Sequence, residues 1–335
     1  MTTPINRFMP PEWAPHDATW MGFPREAYPG AGVTDDEVAK AWTDVANIIS
    51  EFEPLHMLCH SAHLSRAERL LSSAVTLYSF DYNDAWFRDS GPTFVSEDGK
   101  LKAVDWIFNG WGDNTDFAWQ PDALVARHIA QILGIDVIDS PIVNEGGGIA
   151  VNGLGDVFLT KTVQLDPDRN PTRPGDDIEA EIHHCLGTER AHWFERGLWR
   201  DYQPHGTRGH VDMIAAFAPD GSVLVHRQFD ESHPDQSLWA GHCDMLETAD
   251  FKIRAMPAPR VVKDSYGWVD YSYVNHYIAN DLVLVPTFND RTDEHAVEIV
   301  KDVYSDRNVL SYDSRVIFAM GGGIHCITQQ QPTIT

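Results

Sequence analysis

The chain has 335 residues, 43% of them hydrophobic, and 50 acidic against 25 basic residues, which gives a formal charge of −25. The apolar fraction is ample for a large folded core and argues against disorder. The sequence has no run of about 18 apolar residues, which is the length that a membrane-spanning helix requires. The acidic charge argues against nucleic acid or an anionic membrane as partner and suits a cationic substrate, although solubility alone would also explain it.

In chain order, the sequence patterns predict alternating helices and short strands. The predicted helices lie at about 35–51, 62–73, 121–133, 176–186, 237–248 and 291–302. The predicted strands include Leu55–Cys59, Ser222–His226, Leu282–Val285 and Arg315–Ala319. Alternation of this kind is typical of an α/β fold.

Polar or glycine-rich motifs recur at a similar spacing along the chain. Asp89, Glu145, His210, Asn275 and Cys326 are separated by 56, 65, 65 and 51 residues. This spacing predicts a repeated unit of three or four strands and a helix, each delivering one loop to a common centre. A doubly wound α/β fold is the alternative, but no strand–GxGxxG–helix segment supports a nucleotide-binding version of it.

The N-terminal segment and the cysteines indicate a reducing compartment. Met1 to Pro15 lacks the basic start and the apolar stretch of a signal peptide. The four cysteines show no CxxC spacing, so we expect a cytoplasmic protein. His183, His184 and Cys185 are adjacent, but sequence neighbours rarely point at one ion, and we predict no metal site.

The segment around Cys326 has the features of a nucleophile loop. Gly321, Gly322 and Gly323 precede it closely and leave the thiol unshielded. A nucleophilic thiol needs a proton shuttle and groups that hold the substrate. Gly209-His210-Val211-Asp212 and Trp86-Phe87-Arg88-Asp89-Ser90-Gly91-Pro92 provide candidates for both. A flexible loop before a structural cysteine is the alternative for this segment taken alone.

Those segments, with several others, resemble the agmatine deiminase branch of the guanidino-group-modifying enzymes, which also include peptidylarginine deiminases and amidinotransferases. The further matching segments are Met9–Met21, Phe108–Gly112, Asn144–Gly148, Asp168–Pro171 and Ser272–Asn280. The resemblance runs nearly end to end. It implies a single catalytic domain over residues 1–335 with the five-bladed, pseudo-fivefold α/β propeller of ββαβ units called the pentein fold, and an active site on its axis.

The resemblance implies cysteine-dependent hydrolysis of a guanidinium to a ureido group and ammonia through a covalent S-amidino intermediate. For agmatine the product would be N-carbamoylputrescine, a step in polyamine biosynthesis. A planar guanidinium needs carboxylates along its N–H edges, a thiolate over one face and a proton donor for the departing nitrogen. We predict Cys326 as the nucleophile, and His210 as the acid that protonates ammonia and then the base that activates water.

Three carboxylates complete the predicted site. In a strand, His210 and Asp212 would share a face, which would bring a carboxylate beside the base. Asp89 matches the family aspartate that binds the other guanidinium edge, although an Arg88–Asp89 turn ion pair is a structural alternative. Glu145 matches the glutamate that orients the catalytic histidine, and would also raise the basicity of His210.

Other assignments follow from the same match. Trp86 and Trp111 match positions that line the pocket, where an aromatic face covers an alkyl stem or a cation, although each could equally belong to the core. His325 directly precedes the nucleophile, so we expect it to point away from the site and assign it no chemistry. The reaction needs no metal or organic cofactor, water is the second substrate, and a homodimer is possible.

The chain departs from the family pattern at the far end of the substrate. The acidic residue that stands four positions before the histidine, associated with the free amine of the substrate, is Gly206 here. The aspartate two positions before the histidine is Arg208. The cysteine loop also has Gly323 where the family commonly has asparagine.

These changes leave two hypotheses for the substrate tail. Arg208 would repel an ammonium and could pair bidentately with a carboxylate, which favours arginine, a peptidylarginine or another guanidino acid. Alternatively, Arg208 points away and pairs with surface acids, while Asp201 or another residue contacts the amine of agmatine.

Two other functions share these residues. An amidinotransferase would use the same cysteine, histidine and carboxylates but pass the amidino group to an amine, and the close match to the deiminase branch disfavours it. A non-catalytic guanidine-binding protein is the third possibility, and the presence of every catalytic residue argues against it.

Overall fold

A computed structural model describes residues 6–113 and 118–334, so both ends of the predicted 1–335 domain and residues 114–117 lie outside the description. The strands are β1 Arg7–Phe8, β2 His16–Gly22, β3 Leu55–Cys59, β4 Val75–Ser79, β5 Thr93–Glu97, β6 Lys100–Ile107, β7 Asp136–Val143, β8 Ala150–Val151, β9 Asp156–Thr160, β10 Arg190–Phe194, β11 Ala215–Phe217, β12 Ser222–Arg227, β13 Lys252–Pro257, β14 Lys263–Asp264, β15 Gly267–Trp268, β16 Tyr277–Ala279, β17 Leu282–Thr287, β18 Asn308–Asp313 and β19 Thr328–Pro332. The helices are α1 Asp35–Ile49, α2 Leu64–Leu70, α3 Phe87–Ser90, α4 Gly110–Asp113, α5 Val125–Leu133, α6 Lys161–Gln164, α7 Gly175–Leu186, α8 Leu238–Thr248, α9 Asp293–Val303 and α10 Arg315–Ala319.

Five of the sheets formed by the described residues follow one plan. In each, a first strand pairs antiparallel with a second, and the second pairs parallel with a third after an intervening helix. The units are β5–β6–α5–β7, β8–β9–α7–β10, β11–β12–α8–β13, β16–β17–α9–β18 and β19–β2–α1–β3. A helix between parallel strands is the connection such pairing requires, because a tight turn cannot join them.

The last of these units joins strands from opposite ends of the sequence. β19, near the C-terminus, pairs antiparallel with β2, near the N-terminus. Trp20 on β2 donates a hydrogen bond from Nε1 to Gln331 Oε1 on β19 at 2.9 Å. The strand that follows the final motif is therefore paired with β2 rather than left at a free end.

The central strands are buried on both faces, as parallel strands covered by helices usually are. In β17 the side chains from Leu282 to Pro286 are all buried, and β12 is buried from Ser222 to His226. α1 shows why its residues form a helix: Thr34 and Glu37 form a capping box, and Trp42 and Ile49 lie on the buried face. Full burial of such a large apolar side chain contributes about 2 kcal/mol.

The predicted helices are confirmed in position, with ends that shift by a few residues, and the segment predicted at 62–73 is a 3₁₀ turn followed by the shorter α2. The predicted strand Arg315–Ala319 is wrong, because this segment is helix α10. Its short apolar run fits either structure, and contact with α1 decides it in favour of helix, with Ile317 and Phe318 buried. None of the helices in the described residues has the length and apolar character needed to cross a bilayer.

Candidate active site

The recurring motifs occupy equivalent places in the fold. Asp89 lies four residues before β5. Glu145 lies five residues before β8, and His210 lies five residues before β11. Asn275 lies two residues before β16, and Cys326 lies two residues before β19. Each therefore stands on the segment that leads into the first strand of a unit. This regularity is the structural origin of the similar sequence spacings, and it brings all five side chains to one region.

The Cys326 loop is built around close packing with Asn275. A Cβ on Gly323 would lie 2.2 Å from Asn275 Oδ1, and one on Gly322 would lie 2.8 Å from the ring of Trp86 and 3.2 Å from Cys326 Sγ. Asn275 Nδ2 donates to Cys326 Sγ at 3.3 Å, while its Oδ1 accepts from the backbone N–H of His325 at 3.1 Å. The glycines are thus required by close approach to the thiol and its neighbours.

Asp89 is fixed in place on α3 by two donors. Its Oδ1 accepts from the backbone N–H of Gly147 at 3.0 Å, and its Oδ2 accepts from Trp111 Nε1 at 2.9 Å. The Asp89 carboxylate does not form the turn ion pair with Arg88 that the sequence left open, because the Arg88 guanidinium contacts Gln330, Glu12 and the His325 carbonyl instead. Both oxygens of Asp89 are therefore oriented before any substrate binds.

His210 is in contact with Glu145 on one side and lies near Asp89 on the other. Its Nε2 lies 3.2 Å from Glu145 Oε2, and its Nδ1 lies 3.7 Å from Asp89 Oδ1. Glu145 in turn accepts from Arg169 Nε at 2.9 Å, and the side chains of Glu145 and Arg169 are fully buried. The ring of His210 is thereby oriented with Nδ1 on the side of Asp89.

Residues 209–212 do not form a strand. His210 precedes a 3₁₀ turn at Val211–Met213, so strand alternation does not explain its relation to Asp212. The two side chains converge nevertheless: a Cβ on Gly147 would lie 2.5 Å from His210 Nδ1, 2.9 Å from Asp89 Oδ1 and 3.2 Å from Asp212 Oδ2. The absence of a side chain at Gly147 lets these three groups meet.

Asp212 has one engaged oxygen and one open oxygen. Its Oδ2 lies 2.8 Å from His325 Nδ1 and 3.6 Å from Cys326 Sγ. Its Oδ1 is buried and has no hydrogen-bond partner among the residues that the structure describes. An unpartnered buried carboxylate oxygen is costly and needs a donor, which a ligand in the cavity would provide.

His325 does not point away from the site, contrary to the prediction. Its Nδ1 contacts Asp212, and its Nε2 lies 2.8 Å from Glu12 Oε1. Burial lowers the pKa of His325 and Arg88 opposes its charge, but Glu12 and Asp212 outweigh both, so the pKa is raised. Cys326 lies in a turn rather than a strand, and neighbouring side chains there need not point to opposite sides.

The charges of the site favour a protonated histidine and a protonated thiol. Burial alone would lower the pKa of His210, but Asp89 and Glu145 raise it to about 9. Burial raises the pKa of Cys326 well above its usual value, and the carboxylates of Asp212 and Asp89 raise it further. Burial also raises the pKa of Asp89, against the opposing effect of His210.

These groups line a cavity of about 390 Å³. We call the part formed by Asp89, His210, Asp212 and Cys326 the reaction end. Trp86 and Trp111 line the same cavity, and Trp86 Nε1 donates to Tyr28 Oη at 2.9 Å. Trp111 has a φ of 60°, which a bulky residue rarely adopts, and such strain is often found at functional sites.

The other part of the cavity, the tail end, is lined by acidic residues and by the loop from Pro204 to Thr207. Asp201 and Asp270 both line it and are largely buried. Burial raises the pKa of Asp201 well above its usual value, and the charge of Asp270 adds to the effect. Burial likewise raises the pKa of Asp270 to about 6.

Arg208 is not among the residues that line the cavity, and its side chain binds acids outside the lining. Its Nη1 donates to Asp166 Oδ1 at 2.6 Å and its Nη2 to Asp168 Oδ2 at 2.7 Å. Arg200 does line the tail end, but its two Nη atoms bind the carboxylate of Asp264 at 2.9 and 2.8 Å. The geometry therefore favours the alternative in which Arg208 pairs with acids and Asp201 faces the substrate tail.

The sequence profile of the Porphyromonas-type peptidyl-arginine deiminase family matches residues 8–332. The chain belongs to this family. A Streptomyces coelicolor protein named "Putative agmatine deiminase" is 46% identical over 97% of this chain and 98% of its own length, and a Streptomyces avermitilis protein of the same name is 44% identical over 97% and 96%. The solved structure of the agmatine deiminase of Enterococcus faecalis superposes with a TM-score of 0.90 at 30% identity, covering 98% of this chain and 96% of that one.

The structure adds groups that the sequence interpretation left without a role. Asn275 marked the spacing but was given no contact, and it binds the thiol. Arg169 belongs to a matching segment, Asp168–Pro171, but its place behind Glu145 depends on packing between units. Asp270 carries no motif around it, so only its position in the cavity distinguishes it from the other acidic residues.

Proposed function

We propose that this protein is a deiminase that hydrolyses agmatine to N-carbamoylputrescine and ammonia. The proposal is carried by the carboxylate of Asp212, which lines the same cavity as Asp89. Its Oδ1 is buried and has no hydrogen-bond partner within residues 6–113 and 118–334, and its Oδ2 lies 3.6 Å from Cys326 Sγ. A guanidinium supplies planar N–H donors and a positive charge for both carboxylates. Family membership and the names of the relatives support the same reaction class, a hydrolase acting on the C–N bond of a linear amidine.

The guanidinium binds between Asp89 and Asp212. Asp89 is oriented by Gly147 and Trp111, and Asp212 by His325, so little reorganisation is needed on binding. Burial and the carboxylates of Asp212 and Asp89 keep the thiol protonated in the free protein, and the bound cation neutralises the two carboxylates. Substrate binding therefore lowers the pKa of Cys326, the thiol releases its proton to solvent water, and the resulting thiolate attacks the guanidinium carbon.

His210 completes the first step. Its raised pKa of about 9 keeps the imidazole protonated in the free protein at neutral pH. The imidazolium donates a proton to one nitrogen as the C–N bond breaks, so that nitrogen leaves as ammonia rather than as an amide anion. The substrate remains attached through a C–S bond as an S-amidino intermediate.

Water then resolves the intermediate. His210, now neutral, accepts a proton from water while the oxygen attacks the amidino carbon. The C–S bond breaks, the oxygen becomes the ureido carbonyl, and the remaining proton returns to the thiolate. Glu145 stabilises His210 whenever it is charged, which explains why the glutamate lies behind the ring rather than at the substrate.

The tail end of the cavity supports a substrate with a distal cation. Burial and the charge of Asp270 raise the pKa of Asp201, and an ammonium would offset both effects. A Cβ on Gly206 would lie 2.3 Å from the backbone oxygen of Asp201, so a side chain at 206 would clash there, and Asp201 is the nearby acid that lines the cavity. A carboxylate tail would meet these two acids, with Arg200 already bound to Asp264.

Several properties of the whole molecule belong to the same proposal. The five equivalent sheet units close around the site as a five-bladed propeller, and residues 1–335 act as one domain. The protein works in the cytoplasm, as a monomer or a homodimer, in polyamine biosynthesis, and uses only the guanidine and water. Support for closure comes from the pairing of β19 with β2, which joins the last unit to the start of the chain.

The test is an assay of ammonia and ureido product for agmatine, arginine, a peptide ending in arginine and guanidinobutyrate. We expect agmatine to be preferred and Cys326→Ala to abolish turnover. Preference for a carboxylate-bearing guanidine would contradict the tail assignment. Transfer of the amidino group to an added amine without net ammonia release would replace hydrolysis by amidinotransfer.

A further inference from the structure

A chain of alternating charges runs from His210 to the protein surface. Glu145 lies against His210, Arg169 Nε donates to Glu145 at 2.9 Å, and Arg169 Nη1 donates to Asp166 Oδ2 at 2.7 Å. Arg208 Nη1 then donates to the other oxygen of Asp166 at 2.6 Å. The side chains of Glu145, Arg169 and Asp166 are at most 1% exposed, whereas that of Arg208 is 37% exposed.

Arg208 is the outermost cation of this series of charged side chains, and hydrogen bonds fix its position. Its second Nη donates to Asp168 Oδ2 at 2.7 Å, and its backbone N–H donates to the Asp201 carbonyl at 2.8 Å. It adopts a φ of 68°, which is unfavourable for a residue with a Cβ. Two charge-assisted hydrogen bonds in a strained backbone conformation indicate that the surroundings determine the side-chain position.

This series of charged side chains also anchors the segment that carries His210. Arg169 Nη2 donates to the Thr207 carbonyl at 2.9 Å, and the Thr207 hydroxyl accepts from the backbone N–H of His210 at 3.2 Å. Arg169 is therefore shared between Glu145, Asp166 and the loop. If Asp166 lost its second cation, it would attract Arg169 more strongly and leave Glu145 less well neutralised.

We propose that Arg208 is a positioning residue for the reaction, which acts through Asp166, Arg169 and Glu145 to limit how strongly the protonated form of His210 is stabilised. The inference rests on the proposed function for its meaning, because His210 is the acid and base of that reaction. The charged and titratable groups that face His210 directly are Asp89, Glu145, Asp212 and Asp201, and none of these is altered by a change at 208. A glutamate less neutralised by Arg169 is a stronger stabiliser of the imidazolium, so loss of the Arg208 charge raises the pKa of His210.

The direct test is the pKa of His210 itself, measured by NMR on protein with labelled histidine Cε1 and assigned with His210→Gln. We expect Arg208→Gln to raise this pKa by about 0.5 unit, the size of a charge effect transmitted over several contacts. Arg208→Lys keeps the cation and should leave the pKa near that of the wild type. Arg208→Asp, which adds a negative charge beside Asp166, should raise it most.

The same variants in the agmatine assay give the functional readout. The alkaline limb of kcat/KM should move to higher pH in Arg208→Gln and stay in place in Arg208→Lys. An unchanged His210 pKa in Arg208→Gln would overturn the inference. It would do so even if the variant were less stable or had a changed KM for agmatine or for guanidino acids, because neither effect requires action through His210. Because the NMR titration needs no substrate, it separates failure of this inference from failure of the proposed reaction, which inactive wild-type protein would reveal.

Discussion

At the reaction end of the cavity Asp89 and Asp212 each lie near an imidazole, whereas at the tail end burial and the charge of Asp270 raise the pKa of Asp201. Asp212 contacts His325, and Glu145 contacts His210 and Arg169. The tail end instead holds two buried acids, Asp201 and Asp270, and the guanidinium of Arg200, which also lines this end, binds Asp264. The difference indicates that the reaction end is organised before substrate binds, while the tail end depends on the charge that the substrate brings.

The largest expected effect comes from the open carboxylate of the reaction end. In Asp212→Asn we expect kcat/KM for agmatine to fall about 10³-fold or more, because the amide is neutral and offers fewer acceptors to the guanidinium. Steady-state kinetics measure the loss of activity, and a thermal melt measures any loss of stability. Asp235→Asn is a matched control, since Asp235 is also a buried acid but does not line the cavity. Equal losses in both variants would mean that Asp212 acts only through stability.

The second prediction concerns the tail end and its dependence on the substrate. In Asp201→Asn we expect kcat/KM for agmatine to fall about 10–100-fold, because a charge-assisted contact with the ammonium is lost. Asp201→Asn should turn over an alkylguanidine of the same length, which lacks the amine, about as well as the wild type does. A similar loss for both guanidines would remove Asp201 from amine recognition.

A third prediction concerns the reactivity of the Cys326 thiol with and without the negative charge of Asp212. Because burial, Asp212 and Asp89 raise the pKa of Cys326, alkylation of the free protein by iodoacetamide should increase only at strongly alkaline pH. Asp212→Asn removes one negative charge and should shift this profile to lower pH by about one unit. Peptide mapping identifies Cys326 among the four cysteines. Rapid alkylation of wild-type Cys326 at neutral pH would contradict the charge assignment.

The smallest expected effect is on the pH profile. The pKa of His210 is raised to about 9, so the imidazolium needed for the first step is present below this pH and is lost above it. The kcat/KM of the wild type should therefore decline as the pH rises through about 9. Glu145→Gln removes a carboxylate that stabilises the imidazolium and should move this decline to lower pH by about one unit. An alkaline limb that does not move would separate Glu145 from His210.

The sequence allowed the reaction end to be predicted more fully than the tail end, for a physical reason. Asp89, Glu145, His210 and Cys326 each lead directly into the first strand of a unit, so motif order and spacing carry their positions. Arg208 faces Asp166 rather than the cavity because of a left-handed backbone conformation, which the residue type does not predict.

Two other predictions failed where local patterns were too short to decide between conformations. Arg315–Ala319 fits a strand or a helix by its apolar run, and only packing against α1 distinguishes them. His325 contacts Asp212 because the Cys326 segment is a turn, in which neighbouring side chains do not alternate as in a strand. Asp201 and Asp270 come together only in the folded chain, so no spacing rule joins them.

The most direct test of the account is to trap the covalent intermediate. Wild-type protein and His210→Ala are mixed with agmatine, quenched in acid after short times, and analysed by mass spectrometry with peptide mapping. We predict an adduct on Cys326 with the mass of agmatine less ammonia, accumulating in the His210 variant if water activation is slowed more than attack. Ammonia release by the wild type with no adduct on Cys326 at any quench time, in either protein, would contradict the nucleophilic role of this thiol.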